Sequence, residues 1–317
     1  MPFELSAFQK EVLSGLTTGA LTTIVVHPLD LVKVRLQLLS TSNYKQGYFD
    51  VIRSIVNNPQ IPKGSSNLIK EAYRGLGINL IGNTLAWGLY FGLYRKSKDT
   101  IYNHYYSDAL TKYDQTHTLI SHDQKMTSLM YLSAGGMSGL VTSILTNPIW
   151  VIKTRMMSTS RHISGSYSSS IDGFKRLLRQ EGVKSLWKGL VPSLFGVSQG
   201  AIYFMVYDTL KYKYSSMRKQ NNDNNVHDKL KSSETIFITS LSKMISVTTV
   251  YPFQLLKSNL QSFAATDNKF TLINLTKGIY HSQGLLGLYK GLYANLIRAI
   301  PSTCITFCIY ENFRHWV

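Results

Sequence analysis

Cysteine is nearly absent from this chain, because only Cys304 and Cys308 occur among 317 residues. Two cysteines cannot build the disulfide framework of a small secreted domain, so their number does not point to an oxidising compartment. At a spacing of four they would share one face of a helix, where cysteine is more typical as a small packing residue than as a metal ligand. The sequence therefore predicts no disulfide scaffold and no metal site.

Acidic residues are also scarce. Lys and Arg number 34 against 17 Asp and Glu, which gives a net charge of +17. Such an excess indicates an anionic partner, and composition alone leaves open nucleic acid, anionic lipid or an anionic solute. The first residues, MPFELSAFQKE, have neither the apolar core of a secretory signal nor the arginine-rich pattern of a transit peptide, so we expect neither.

Motifs of enzyme chemistry are missing as well. The chain has no G-x-G-x-x-G and no P-loop, so it encodes no flavin- or ATP-binding fold and we expect no bound cofactor. His27 precedes a proline and has no partner nucleophile, so we interpret it as a packed or lipid-interface residue. Hydropathy does not predict a helix surrounded by lipid on all sides. It leaves two alternatives: a soluble helical protein, or a membrane protein whose helices are apolar on one side and line a wet cavity on the other.

One motif occurs three times in the chain. It reads PLDLVKVR at residues 28–35, PIWVIKTR at 148–155 and PFQLLKSN at 252–259. Each copy is followed by an aromatic residue, a basic residue and glycine: Tyr73-Arg74-Gly75, Trp187-Lys188-Gly189 and Tyr289-Lys290-Gly291. The prolines are 148 − 28 = 120 and 252 − 148 = 104 residues apart. A period of about one hundred residues indicates three copies of one unit rather than a small-repeat solenoid.

Every copy predicts the same order of elements. A helix rich in small residues runs into the proline motif, a short amphipathic helix follows, and a second long helix begins after the glycine. We therefore predict six long helices and three short ones. The predicted repeats and linkers are 1–106, the linker 107–125, 126–215, the linker 216–232, and 233–317.

Helical periodicity continues past each proline, so Pro28, Pro148 and Pro252 predict kinks rather than helix ends. Three kinks at equivalent places would close a bundle at one end. Gly135 and Gly139 form a small-residue pair that allows two helices to approach closely. The third copy has Lys243 in place of such a glycine, and an ionisable residue deep in a membrane normally faces a cavity.

These repeated motifs resemble those of the mitochondrial carrier family. The second copy has the full acid-glycine segment, Glu181-Gly182, before its triplet; the third has Gln283-Gly284, and the first keeps only the triplet. The resemblance covers nearly the whole chain. It implies an all-α membrane protein of the mitochondrial inner membrane, with six transmembrane helices in three pseudo-threefold repeats and a short matrix-side helix in each. It also implies one central site that is reached alternately from the two sides.

The resemblance assigns a matrix-side gate to the proline motifs, in which the acid of one copy pairs with the basic residue of the next. Asp30 is the acid that this chain keeps, so we expect an ion pair with Lys153. Trp150 would form a cation–π contact with Lys257, and Gln254 would form a hydrogen bond with Lys33. The expected gate residues are Asp30, Lys33, Gln37, Trp150, Lys153, Gln254 and Lys257.

A second motif of the family, an aromatic and an acidic residue followed by a basic one, implies a gate on the cytoplasmic side. The first repeat has Arg95 where the acid belongs. Asp208 would pair with Arg314, and Glu311 with Lys98, while exposed or partly solvated pairs contribute about 1 kcal/mol or less. The expected cytoplasmic residues are Tyr94, Lys98, Tyr207, Asp208, Lys211, Tyr310, Glu311 and Arg314.

Substrate contacts of the family lie seven or eight residues beyond each triplet glycine. Arg298 would bind a carboxylate or phosphate, Trp87 would stack on a ring, and Gly196 with Val197 would offer a flat apolar face. This combination predicts a solute with a heteroaromatic ring and an anionic group. The expected substrate residues are Gly82, Asn83, Trp87, Gly196, Val197, Gln199, Arg298 and Ser302.

Trp150 in an acid position resembles the branch of the family that carries folate, flavin, NAD and pyrimidine nucleotides. The amino-acid sequence of the longer stretches resembles that of a flavin carrier, chiefly for FAD. The pocket residues alone leave the other solutes as alternatives. The resemblance also implies a monomer and cardiolipin binding at Gly75, Gly189 and Gly291, which begin helices. A nucleic-acid partner is not expected, because binding one would not require six amphipathic helices in threefold register.

Overall fold

The computed structural model describes residues 7–38, 47–57, 64–110, 126–161, 165–220, 232–262 and 271–299, together with 301, 302 and 305. Regular structure in these ranges is helical throughout. In chain order the helices are α1 (Ala7–Leu38), α2 (Tyr48–Val56), α3 (Ser65–Ala72), α4 (Leu76–Leu110), α5 (Ser128–Ser158), α6 (Ser170–Glu181), α7 (Leu190–Gln220), α8 (Ser232–Gln261) and α9 (Leu272–Gly287). A short 3₁₀ turn, Val183–Trp187, follows α6, and residues 292–299 form the start of a further helix, α10.

Each proline of the repeated motif lies inside a continuous helix. Pro28 is within α1, Pro148 within α5 and Pro252 within α8. The prediction that the helices continue past the prolines is therefore confirmed. Helices α4 and α7 extend into the first residues of the predicted linkers, to Leu110 and Gln220. Most of the last predicted long helix, from residue 306 onward, lies outside the described residues.

The three predicted short helices are present as α2, α6 and α9, and side-chain caps explain where α6 and α9 begin. The Ser169 hydroxyl accepts a hydrogen bond from the Asp172 N–H at 3.1 Å, and the Thr271 hydroxyl accepts one from the Asn274 N–H at 3.3 Å. Such caps satisfy amide groups that the first helical turn leaves without partners. Gly182 ends α6 with a φ of 76°, a backbone conformation that favours glycine.

The apolar core is divided among the three repeats and lies at the end of the bundle that carries the prolines. In each repeat, the turns after the proline pack against the short helix. Leu31 and Val51 belong to the first cluster, Val151 and Leu177 to the second, and Leu255 with neighbouring α9 residues to the third. This packing fixes the proline-motif side chains, which the predicted gate requires.

Three of the described helical segments are long and apolar enough to cross a membrane: Leu129–Ser158, Val183–Met217 and Ser233–Gln261. Hydropathy of the sequence leaves a soluble and a membrane protein open, and these three segments favour the membrane protein. Large apolar side chains on them point away from the protein, among them Leu129, Phe204 and Phe237. Helices with an apolar outer side belong to the second of the two alternatives, a membrane protein. Such an outer surface is suited to contact with lipid.

Candidate functional site: a threefold gate beneath a cationic cavity

The residue before each proline binds the glycine triplet of its own repeat. His27 Nε2 lies 3.0 Å from the carbonyl oxygen of Arg74, and the Tyr251 hydroxyl donates to the carbonyl of Lys290 at 2.7 Å. Asn147 Nδ2 donates at 3.2 Å to the carbonyl of Lys188. His27 is fully buried, so its interpretation as a packed residue is confirmed. Three different side chains thus make one equivalent contact.

Each triplet glycine packs on the next repeat. The glycines have φ values of 81°, 72° and 84° in repeat order. A Cβ added to Gly75 would lie 3.1 Å from Met157, one on Gly189 would lie 2.9 Å from Gln261, and one on Gly291 would lie 3.3 Å from Gln37. Glycine is therefore required here both by its backbone conformation and by the close approach of the neighbouring helix.

A second set of contacts closes the three repeats into a ring, which we call the inter-repeat ring. Arg35 Nε donates to the Met157 carbonyl at 3.2 Å, and Arg155 Nε to the Gln261 carbonyl at 3.3 Å. The third bond runs from Asn259 Nδ2 to the carbonyl of Gln37 at 3.3 Å. Each donor lies seven residues after its proline and each acceptor nine, so the first repeat binds the second, the second the third, and the third the first.

Two of the ring donors also form buried ion pairs. Arg35 binds Glu71 at 2.6 Å, and Arg155 forms a two-pronged pair with Glu181, in which Nη2 lies 2.9 Å from Oε2. Burial alone would raise the pKa of each carboxyl, but hydrogen bonds and charges outweigh it. The Arg35 guanidinium holds the pKa of Glu71 below its usual value, and Arg155 with Lys188 does the same for Glu181.

Sequence reasoning missed the roles of these arginines and of Glu71. The signal was present, because Arg35 and Arg155 stand at the same distance from their prolines and the third copy has Asn259 there. Glu71 lies only two residues before Tyr73, whereas Glu181 lies six before Trp187, so its equivalence to Glu181 is visible in space and not in the motif.

Asp30 does not make the pairing that was predicted for the matrix gate. Its Oδ1 lies 2.7 Å from Nη1 of Arg298, the predicted substrate residue on α10. Lys153, the expected partner, instead has its Nζ 4.9 Å from the centre of the Trp150 ring. The guanidinium of Arg298 can bind a carboxylate through two N–H groups that are fixed in one plane. It therefore competes well with Lys153 for Asp30. The acid of the predicted gate is therefore bound by a residue of the predicted solute site.

Trp150 stands in the gate between two lysines. Lys257 Nζ lies 6.0 Å from its ring centre, which confirms the predicted cation–π contact, and Lys153 is the second cation on the ring. The indole N–H donates to the Thr146 hydroxyl at 3.1 Å, which fixes the orientation of the ring. An aromatic face attracts cations by its quadrupole, typically by 0.5–2 kcal/mol, so the tryptophan partly replaces the missing acid.

The remaining gate residues make contacts other than those expected. Gln254 Nε2 donates to Gln199 at 2.8 Å, and its Oε1 accepts from Asn295 at 3.4 Å, so its predicted bond to Lys33 is not formed. Gln37 is buried and joins the first repeat to the third through the Tyr251 and Ser258 hydroxyls. Lys33 interacts electrostatically with Arg298, Asp30, Lys153 and Lys257, which together give this level of the cavity a strong positive charge.

The predicted substrate residues of the first repeat lie along one stretch of α4. Gly82 packs on the gate, because a Cβ there would lie 3.0 Å from Ile149 and 3.3 Å from Trp150. Asn83 reaches Asn79 at 3.5 Å. Trp87, one turn later, is 60% exposed and stacks on Phe91 with ring centres 5.5 Å apart. An exposed, orientated indole is a suitable surface for a planar ring.

In the other two repeats the predicted positions differ in character. Gly196 has open space around it, whereas Val197 packs into the gap at Gly139, where a Cβ would lie 2.9 Å from Val197 Cγ1. The flat face is thus at Gly196 alone. Gln199 binds Gln254, as noted, and Ser302 is helical and partly exposed. Arg298 combines the ion pair to Asp30 with a buried Nε that has no hydrogen-bond partner among the described residues.

The cytoplasmic positions are described only in part. Lys98 Nζ lies 5.4 Å from the Tyr94 ring centre, and Lys211 Nζ lies 6.0 Å from that of Tyr207. Asp208 is exposed. Tyr310, Glu311 and Arg314 lie outside the described residues, so the two predicted ion pairs of this gate remain predictions.

Comparison with known proteins agrees with the repeat pattern. The chain matches the mitochondrial carrier protein family three times, at residues 5–105, 124–218 and 228–317. It is 57% identical to the mitochondrial FAD carrier protein FLX1 of Saccharomyces cerevisiae over 97% of this chain and 96% of that protein. It is 32% identical to the mitochondrial nicotinamide adenine dinucleotide transporter 1 of the same yeast, over 98% and 78% of the two chains. The chloroplastic folate transporter 1 of Arabidopsis thaliana is 29% identical, over 94% and 92%.

Family matches that span all three repeats, and a relative that aligns over almost its full length, leave one assignment: this chain belongs to the mitochondrial carrier protein family, whose members are six-span helical proteins of the mitochondrial inner membrane.

Proposed function

We propose that this protein transports FAD across the mitochondrial inner membrane by alternating access. The observation that carries this proposal is its 57% identity to a yeast FAD carrier over nearly all of both chains. The NAD and folate transporters, at 32% and 29% identity, define the alternative, which is a carrier for NAD, folate or a pyrimidine nucleotide.

The chemistry of the cavity supports a solute with a ring and phosphates. The Arg298 guanidinium has the planar donors that bind phosphate oxygens. Trp87 offers an exposed ring face for stacking, and the open backbone at Gly196 lets a planar group approach α7 closely. Lysines at the level of the gate add positive charge, which draws an anionic solute into the cavity.

Binding of the solute is coupled to the gate through Asp30. A phosphate group that binds Arg298 competes with the Asp30 carboxylate for the same guanidinium. Once it is displaced, Asp30 is available to Lys153, the neighbouring cation with which it already interacts electrostatically. The solute thus changes which helix the acid holds, and a change of partner between helices is what a gate requires.

Transport further requires that the solute be bound best while both gates are partly formed. A solute bound equally in the two end states shifts neither of them. Contacts that are strongest in the intermediate offset the cost of breaking the gate, as preferential binding of a transition state lowers a reaction barrier. On the matrix side that cost is small, because two of the three proline motifs lack the acid. Trp150 holds its two lysines by cation–π contacts alone.

Cardiolipin binding and a monomeric state complete the proposal. Gly75, Gly189 and Gly291 each precede the first turn of a long helix, whose amide groups favour an anionic headgroup. Proteoliposomes with and without cardiolipin test the lipid, since transport and thermal stability should both rise when it is present. Light scattering of the detergent-solubilised protein tests the monomer.

The central experiment is uptake by purified protein in liposomes. FAD, FMN, NAD, folate and pyrimidine nucleotides are offered separately, with protein-free liposomes as the control. We expect saturable FAD uptake that exceeds uptake of the other solutes. Uptake of another solute with no FAD uptake would replace the assignment by that solute.

A further inference from the structure

The third repeat departs from the threefold pattern at one position inside the bundle. Nine residues before their prolines the three copies have Gly19, Gly139 and Lys243. In the second repeat there is no room for a side chain, because Val197 of α7 fills the space at Gly139. The residue equivalent to Val197 in the third repeat is Ala299, eight residues after its triplet glycine. Ala299 on α10 is smaller than Val197, and Lys243 on α8 is larger than Gly139, so the two differences in size compensate each other.

Lys243 lies between two neighbouring helices. Its Nζ is 5.9 Å from the centre of the Tyr203 ring on α7, and it interacts electrostatically with Arg298 on α10. Arg298 itself binds Asp30 on α1. A cation that reaches partners on both sides of its own helix faces the interior of the bundle, and an ionisable residue placed there is functional by default.

Arg298 keeps a donor that the described structure does not use. Its Nη1 binds Asp30, while its buried Nε has no hydrogen-bond partner among the described residues. A buried guanidinium donor without an acceptor is costly, and two nearby cations repel each other. An anion with several negative oxygens satisfies both conditions.

We propose that Lys243 and Arg298 form a subsite for the diphosphate bridge of a dinucleotide, with Tyr203 as its aromatic wall. Arg298 Nε, together with Nη1 once Asp30 has left it, donates to oxygens of one phosphate, and Lys243 Nζ donates to oxygens of the other. The Tyr203 ring holds the ammonium group in place by a cation–π contact. This inference deepens the proposed function and rests on it, and it names the feature of the solute that the site selects, which is two linked phosphates.

The test uses inorganic pyrophosphate as the probe and the full-length protein in detergent. Lys243→Met removes the charge, Lys243→Arg keeps it, and Lys277→Met removes an equal charge from an exposed position on α9. We expect the Kd for pyrophosphate, measured by calorimetry or ligand-induced thermal shift, to rise about tenfold or more in Lys243→Met, as loss of a charge-assisted hydrogen bond implies. Lys243→Arg should stay within about threefold of wild type, and Lys277→Met should equal it.

Liposome uptake separates this subsite from a merely structural role. In Lys243→Met the KM for FAD should rise, while inhibition of uptake by riboflavin, which has no phosphate, should be unchanged. An unaltered pyrophosphate Kd, or an equal loss of riboflavin and FAD binding, would overturn the subsite. Because pyrophosphate binding does not depend on FAD being the solute, a wild-type protein that binds pyrophosphate through Lys243 and transports no FAD would retain the subsite and lose the proposed function.

Discussion

Asp30 and Arg298 bind each other at 2.7 Å and join α1 of the first repeat to α10 of the last. The carboxylate belongs to the proline motif of the gate, and the guanidinium belongs to the solute positions of the family. Under the proposed function, this single ion pair connects the proposed solute site with the proposed gate. A ligand that took the place of Asp30 on Arg298 would therefore act on that gate directly, without a longer chain of contacts.

Asp30→Asn should reduce FAD uptake at least tenfold, because the amide neither holds Arg298 with a full charge nor pairs with Lys153 afterwards. Initial uptake rates in proteoliposomes measure the effect. Asp172→Asn, at a partly exposed acid on the short helix α6, is the matched control and should leave the rate unchanged. Normal uptake by Asp30→Asn would remove Asp30 from the mechanism.

The effect of the acidic charge that position 150 lacks can be measured with two variants of equal shape. Trp150→Glu places an acid near Lys153 and Lys257, whereas Trp150→Gln loses the ring without adding a charge. The glutamate variant should unfold at a higher temperature than the glutamine variant and transport more slowly, since the matrix-side contacts become harder to break. Thermal unfolding and uptake rates give the two readouts. Faster transport by the glutamate variant would contradict this account of the gate.

Glu181→Gln should destabilise the protein more than Glu71→Gln. The side chain of Arg155 is 1% exposed and that of Arg35 is 13%, so the first would be left with less water around its unpaired charge. Removing one partner of a buried pair typically costs 3–5 kcal/mol. Thermal unfolding in detergent ranks the variants, and Asp172→Asn, which breaks the partly exposed pair with Arg176, shows the smaller loss expected of a solvated pair. Equal losses would show that burial does not govern these pairs.

The same pair predicts a dependence on pH. Because the pKa of folded Glu181 lies below the unfolded value of 4.5, its contribution to stability is complete above that value and is lost as the pH falls through the folded pKa. Between pH 5 and pH 7 the free energy of unfolding of wild type should therefore exceed that of Glu181→Gln. This difference should be lost at pH values below 4.5. An advantage that vanished already at pH 6 would mean that another group titrates.

The third repeat offers a gain-of-stability test. Asn259 and Gln283 stand where the second repeat has Arg155 and Glu181. The double variant Asn259→Arg with Gln283→Glu should restore the pair and keep the ring bond to the Gln37 carbonyl, since Arg155 makes both contacts at once. A double-mutant cycle should give a favourable coupling of about 1–3 kcal/mol. Additive effects of the two single changes would show that the pair does not form.

The sequence predicted elements well and partners poorly. The helices that contain Pro28, Pro148 and Pro252, and the short helix after each, follow from periodicity and local turn signals, which are encoded within a few residues. The partner of Asp30 depends on which of several cations lies nearest in three dimensions, and Arg298 is 268 residues away in the chain, the difference 298 − 30. Glu71 escaped notice because it reaches the position of Glu181 from a different place in its repeat.

The inter-repeat ring has a consequence for ion tightness. A protein in an energy-coupling membrane has to admit a large solute without letting protons and other small ions follow it. Because Arg35, Arg155 and Asn259 each link one repeat to the next, a thermal fluctuation that breaks one link leaves the other two in place. We therefore expect the ring to open only when all three links part together, which is rarer than the loss of any one of them. Under the proposed function, such a closed cycle would limit the leakage of small ions between transport events.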